Sequence, residues 1–342
     1  MSATRLLRTW GTYGILALLY MFFAATTSGF GSSGNLRNIL VQLVPVVISG
    51  AAVTLVMVGG SLDLSVSGSL ALSGVMAAYL SASGLPLPLA LALGIVTGAV
   101  IGLLNGLLVV GLGINAVIAT LGTAYVATGI ANLISNGSSV IVTDPNFSTL
   151  GIGDFHGVQY SIIVMFAVVA VFVFLERLTL LGKYTIALGS NREGARLAGI
   201  RVGRLRILLF ILAGAATGLA GIVSASKLTS GQPTIGQGFE FQVIVAAVLG
   251  GVSLAGGIGT VPGTTAGAAI VVVIGVALNQ NGINSFWQQI ILGGLLVIVV
   301  ALDVILKTDR RLPSWLSLQR GGPRASTDPD AAHVLTKDGE KK

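Results

Sequence analysis

Between Asn38 and Leu175 the chain carries three formally charged side chains, Asp63, Asp144 and Asp154, together with His156. Charged residues make up 9% of the whole chain, against roughly 25% in soluble domains. A surface so poor in charge is not kept hydrated, and lipid is the solvent that fits it. Apolar residues account for 54% of the chain and the mean hydropathy is +0.92. A bilayer core of about 30 Å is crossed by about 20 helical residues, so 342 residues hold many crossings and little else. The 48 glycines fit the same solvent, because membrane helices pack through close backbone approach.

Apolar stretches broken by Gly, Pro, Asn and Ser clusters predict spans near residues 10–28, 39–58, 64–82, 86–110, 114–134, 160–176, 205–226, 241–254, 264–280 and 286–306. The expected fold class is an all-α polytopic membrane protein with about ten transmembrane helices. No cleavable signal segment is expected, since the apolar run after Arg8 is long enough to span. With both termini cytoplasmic, 17 of the 19 Lys and Arg residues fall on the inner side, leaving Arg37 and Lys227 outside. Cytoplasmic loops carry such an excess, so the expected topology is N-in, C-in. The net charge of +7 thus reflects membrane borders, and no nucleic-acid partner is expected. Residues 1–306 form the expected membrane domain. The Pro/Gly-rich, charged tail 307–342 is expected to be cytoplasmic and disordered, with its first basic residues resting on lipid headgroups.

Several motifs carry two readings. Gly94, Gly98, Gly102 and Gly106 form one groove on a helix, suited to tight static packing or to a sliding seam. Asp63 lies at the junction of two spans, where it caps freed backbone N–H groups or borders a solute path. Uncharged polar residues within spans, among them Gln42, Thr54, Asn105, Thr120, Thr123, Asn132, Gln242, Asn279 and Gln288, act as interhelical glue or line a wet passage for a neutral polar solute. Asp63, Ser65, Asn105, Thr120, Thr123, Gln242, Asn279 and Gln288 are the candidate path or junction residues. "GGSL" at residues 59–62 and "GGVSL" at 250–254 hint at two related halves, with Asn105-Gly106 and Asn281-Gly282 following later in each. The external connection 135–159 is a small cap at most.

The most specific feature is the basic block 182–206, "GKYTIALGSNREGARLAGIRVGRLR". Asn191 is placed to cap a short helix through Leu197, with Glu193 in its first turn and Gly199 ending it. A capped helix between two spans is what docking onto a soluble partner requires; an ordinary basic loop is the other reading. Catalytic signals are missing. "GGIGTVPGTT" at 256–265 lacks the Lys of a phosphate loop, the two histidines are far apart, and Cys 0 excludes disulfides and thiolate metal sites. No metal site and no bound cofactor are expected, and any ATP consumed is hydrolysed by another chain.

This block, with "AGAATGLAGIVSASKLTSGQPTIGQGFEFQVIVAAVLGG", "SLAGGIGTVPGTTAGAAI" and "NGINSFWQQIILGGLLVIVVALDV", closely resembles the permease subunits of ribose-type sugar ABC importers. "DLSVSGSLALSG" and "NGLLVVGLGINAVIATLGT" extend the resemblance over about residues 35–306. It implies an ABC importer permease fold in the bacterial cytoplasmic membrane, with import of a monosaccharide-like solute by alternating access. It also implies three partners: a cytoplasmic ATPase that binds ATP-Mg, an extracytoplasmic sugar-binding protein, and a second permease copy or paralogue. The segment around Gly189, Asn191, Glu193, Ala195, Arg196, Leu197, Gly199 and Ile200 looks like the element that receives the ATPase stroke. The chain departs from the family pattern where Ser61-Leu62 precedes Asp63 and an extra Ser67 precedes Gly68. Each added residue turns a helix by about 100° unless the segment is unwound. Import of branched-chain amino acids or nucleosides, a self-sufficient carrier or channel, and a membrane-embedded enzyme are the other readings.

Overall fold

Stretches with no hydrated surface satisfy their backbone groups internally, and in the computed structural model, which describes residues 3–307, they do so as helices. In chain order these are α1 (Ala3–Thr26), α2 (Ser33–Val58), α3 (Val66–Ala82), α4 (Leu87–Val110), α5 (Ala116–Ser135), α6 (Thr149–Ile152), α7 (Tyr160–Leu178), α8 (Leu180–Ser190), α9 (Arg192–Leu197), α10 (Val202–Leu228), α11 (Phe239–Leu249), α12 (Val261–Gln280) and α13 (Ser285–Lys307). Each of the ten apolar stretches coincides with one of them. Six are long and apolar enough to cross a membrane: α2, α4, α5, α7, α10 and α12. The other four contribute shorter apolar helices, Gly11–Thr26, Val66–Ala82, Phe239–Leu249 and Phe286–Ile298. Helix α8 was not expected. Thr179 caps it by accepting a bond from Leu181 N (3.2 Å), and Gly182, Thr185 and Leu188 bury its inner face. All of the tail beyond Lys307 lies outside the described residues.

Burial separates a centre from a periphery. The apolar window of α2 is 83% buried, against 28% for α4, 28% for α5 and 22% for α7. Helices α7, α10, α11 and α12 pack around α2, and the outer faces of α4, α5 and α7 are left for lipid. Small residues set the closest crossing. A Cβ at Gly98 would overlap the Gly214 carbonyl oxygen, and one at Gly102 the Phe210 carbonyl oxygen. The four-residue glycine ridge of α4 is therefore a backbone-to-backbone seam with α10. Thr54 and Thr264 join α2 to α12 through a buried Oγ–Oγ hydrogen bond of 2.6 Å.

The helices run between two chemically distinct ends. At one end lie the links 59–65 and 250–260 together with α8 and α9. Arg206 there donates to Ser61 Oγ (3.1 Å), and Glu176 accepts the Val261 N–H (3.0 Å) at the start of α12. This basic end holds seven Lys and Arg residues between Arg177 and Arg206. The opposite end holds Lys227, Asp144 and Asp154. The connection 135–159 there is more structured than a bare loop. Strand β1 (Val140–Ile141) pairs antiparallel with β4 (Ser230–Gly231), Val140 opposite Gly231. Strands β2 (Asp154–Phe155) and β3 (Val158–Gln159) form a hairpin. Its two turn residues, His156 (φ 50°) and Gly157 (φ 86°), both take positive φ, as a type I′ turn requires.

The segments 59–62 and 250–254 form the same turn, one the chain also makes after α3 and α12. Gly59 ends α2 at φ −71° and ψ 3°, and Gly250 ends α11 at φ −71° and ψ 0°. Each is followed by a glycine at positive φ, Gly60 at 76° and Gly251 at 87°. Ser61 N then bonds back to Val56 O, as Val252 N does to Ala247 O; this is the Schellman arrangement. The Asn-Gly pairs do not correspond. Asn105 is buried inside α4, whereas Asn281 is the C-cap of α12. A local dipeptide match does not constrain where in a helix it falls.

We expect Gly98→Leu to destabilise the protein by at least the ~1–3 kcal/mol usual for overpacking, read as a lower melting temperature in detergent. Gly129→Leu, with open space where its Cβ would stand, should leave the melting temperature unchanged.

Candidate functional site

Helix α11 is half the length of a span because the chain re-enters through an irregular segment, 229–238, before it begins. Interrupted segments of this kind line cavities in membrane proteins. Beside it, α2, α7, α10, α11, α12 and α13 contribute to a cavity of about 310 Å³ near the end opposite the basic block, inside the ~300–1,000 Å³ range of small-molecule sites. Its lining mixes apolar side chains, among them Val41, Val44, Phe239, Val271 and Val272, with the carboxamides of Gln42, Gln242, Asn279 and Gln288 and with Lys227. Gln288 Nε2 donates to Asn279 Oδ1 (2.7 Å), which holds two carboxamides side by side. The Gln242 side chain, in the first turns of α11, has no hydrogen-bond partner among the described residues. Ser161 Oγ is buried against the cavity and also unpartnered. Two helical turns deeper, the Thr54–Thr264 bond closes α2 on α12.

Three of the eight path candidates, Gln242, Asn279 and Gln288, therefore meet at this cavity. The other five meet elsewhere, in a buried network at the α2–α3 link. Asp63 Oδ1 accepts from Ser65 N (2.9 Å) and Ser65 Oγ (2.6 Å). Ser65 Oγ accepts from Asn105 Nδ2 (2.7 Å), and Thr123 donates to Asn105 Oδ1. Thr120 Oγ1 closes the ring by accepting from Leu64 N (3.0 Å). These bonds hold an extended link, 62–65, against α4 and α5, and none of the five residues lines the cavity. Because 59–65 is not helical, the additional residues Ser61-Leu62 fall where no helical register exists to be rotated. Ser67 lies inside α3, and its carbonyl oxygen is where a Cβ at Gly236 would fall.

At the basic end, α9 has the geometry its sequence specifies. Asn191 Oδ1 accepts from Gly194 N (2.9 Å), and Gly199, at φ 83°, terminates the helix with Ile200 N bonded to Ala195 O (3.1 Å). Ala195 points inward at 4% exposure, while Leu197 is 74% exposed. Arg196 bonds Glu193 through Nε (3.0 Å), which holds the Glu193 carboxyl below the usual carboxylate range. Both side chains are largely exposed, so the pair adds little to stability. Gly189 is the anchor. A Cβ there would overlap the Val58 carbonyl oxygen, which already accepts a bond from Gly257 N (2.8 Å). Gly256 in turn packs on Gly60 and on the Gly189 carbonyl. The joint between α8 and α9 is thus set against two glycine turns of the basic end, the one after α2 and the one after α11.

A family model described as "Branched-chain amino acid transport system / permease component" matches residues 35–300. The chain belongs to this permease family. Relatives of the permease include the L-arabinose ABC transporter permease protein AraH of Azospirillum brasilense, 36% identical over 303 residues, covering 88% of this chain and 89% of the relative. The L-arabinose transport system permease protein AraH of Escherichia coli is 36% identical over 86% of this chain and 91% of its own length. The ribose import permease protein RbsC of the same species is 35% identical, over 84% and 92%. No solved structure matches the chain. The permease is a multi-pass membrane protein, and the three relatives named here are permeases of sugar ABC transporters.

Sequence reasoning missed Ser161, Lys227 and Glu176. Each sits at the end of an apolar run, where its polarity reads as the edge of a span. We expect Asn105→Leu to leave Ser65 and Thr123 without their partner and to cost about 1–3 kcal/mol, measured as a lower melting temperature in detergent.

Proposed function

We propose that this permease is the transmembrane subunit of an ATP-driven importer that carries a neutral monosaccharide, of the arabinose or ribose kind, inward across the bacterial cytoplasmic membrane. The observation that carries the reading is the position of the amide-lined cavity, at the end away from the arginine-rich block. By the positive-inside rule that block is cytoplasmic, so the cavity faces outward, toward a solute-binding protein. A sugar has hydroxyls around its edge and C–H groups on its faces. Carboxamides donate and accept at once, which suits hydroxyls, and the valines with Phe239 suit the faces.

In this reading the ten apolar helices all cross or enter the bilayer, both termini are cytoplasmic, and residues 1–306 form the permease domain. A second copy or a paralogue completes the pathway. ATP-Mg binds on partner ATPase subunits, against which α9 docks, and this chain binds no cofactor. Movement of α9 reaches α2 and α11 through Gly189, and the α2–α12 closure at Thr54 and Thr264 separates the cavity from the cytoplasm. Loaded binding protein and ATP each shift the equilibrium only by binding its states differently. The relatives named for arabinose and ribose support the sugar class over branched-chain amino acids or nucleosides.

Three measurements test this. The chain has no native cysteine, so Arg196→Cys should react with a membrane-impermeant thiol reagent only after cells are opened; labelling of intact cells would reverse the topology. In vesicles holding the permease, its ATPase and its binding protein, Gln242→Leu should lower uptake several-fold, about the net worth of one hydrogen bond, with expression unchanged. Replacing Asn191, Glu193 and Arg196 together by Ala should abolish uptake while insertion stays intact. Solute flux through vesicles holding this chain alone would instead make it a self-sufficient carrier.

A further inference from the structure

Two grooves flank the segment from Ile200 to Arg204, and they differ in chemistry. The first, about 740 Å³, carries the Arg192, Glu193 and Arg196 side chains of α9 beside Ile200, Arg201, Val202 and Arg204. The second, about 470 Å³, is bounded by Tyr184 of α8, Ala198, Gly199 and Ile200, and on α10 by Arg201, Arg204, Leu205 and Leu208. Along α10 its lining changes from two cations to two leucines within about two turns, roughly 10 Å of helix. Leu208 is 41% exposed and Tyr184 40% exposed.

Charge is left unbalanced in this groove. Among the described residues the one ion pair at the basic end is Arg196 with Glu193, so Arg201 and Arg204 have no acidic partner there. Both sit at the start of α10, which has no acidic residue in its first turn and no side-chain cap. Cations at a helix N-terminus oppose its dipole, and an anion between them offsets that repulsion. Arginine's planar fork matches a phosphodiester better than it matches water.

We propose that this second groove binds the headgroup of an anionic phospholipid of the cytoplasmic leaflet. The phosphate lies between Arg201 and Arg204, the Tyr184 hydroxyl sits at headgroup level as interfacial tyrosines do, and an acyl chain runs over Leu205 and Leu208. Basic pockets bordering spans on the cytoplasmic side recognise anionic headgroups by this chemistry. The lipid would fix the angle between α8 and α10 beside α9, and so set the resting position of the segment proposed to meet the ATPase. The inference rests on membrane embedding and not on the cargo, so it stands or falls separately from the sugar assignment.

The test is native mass spectrometry of the full chain in detergent with added phosphatidylglycerol or phosphatidylcholine of equal chain length. Phosphatidylglycerol should be retained and phosphatidylcholine not. Retention should fall about fivefold per arginine removed in R201Q/R204Q, and R192Q/R196Q should retain it as the wild type does. Should R201Q/R204Q fail to fold, R204Q and Y184F serve in its place, each expected to weaken retention with R192Q unchanged. Equal retention of both lipids, or undiminished retention in R204Q, overturns the proposal. Displacement by millimolar inorganic phosphate also overturns it, by making the groove a free-anion site, as does retention that is lost equally in R192Q/R196Q.

Discussion

In hydrocarbon a peptide group finds no water to bond, and each unsatisfied N–H or C=O costs several kcal/mol. That single constraint arranges most of this molecule. It makes every apolar run a helix, and it allows irregular backbone only where protein or a cavity surrounds it. The link 59–65, the segment 229–238 and the link 250–260 are places where the chain leaves helix within the packed body, and the first two carry the polar sites. The first is enclosed by the Asp63–Ser65–Asn105–Thr123 network, and the second borders the amide-lined cavity. Non-helical backbone thus marks both polar sites, one sealed and one open.

Much of this was legible in the sequence, for physical reasons. Twenty apolar residues in a row admit one structure in lipid, so the ten helices could be placed from composition. The short helix α9 could be placed to the residue, because a cap needs an acceptor at Asn191 and a positive φ at Gly199. What could not be read was which polar residues meet. Gln242, Asn279 and Gln288 come from three helices and converge only through packing, while Asn105 and Thr123 look the same in sequence and turn inward to seal a link. Helix α8 was missed because its Gly182, Thr185 and Gly189 read as loop residues; each is instead a point of close approach. Length alone does not decide the number of crossings, since α3 and α11 are apolar but short.

Function in this permease divides along the long axis. The end with carboxamides and valines suits a hydroxylated solute, and the end with unpaired arginines suits anionic surfaces, lipid or protein. Between them, α2 joins both: its N-terminal half lines the cavity through Gln42, and its last turn meets Gly189 and Gly257. Being 83% buried, α2 can hardly rotate without disturbing α10 and α12. Displacement along or across its axis is the remaining freedom, and that is what a partner pressing on α9 would supply.

In the knot of Gly60, Gly189, Gly256 and Gly257 backbone meets backbone, with the Ser190 hydroxyl beside Gly257. Where two elements meet through long residues, rotamer changes absorb small shifts before they propagate. Bare backbone lacks that slack, so any displacement of α9 would reach the turns after α2 and α11 with less loss than through a joint of long side chains.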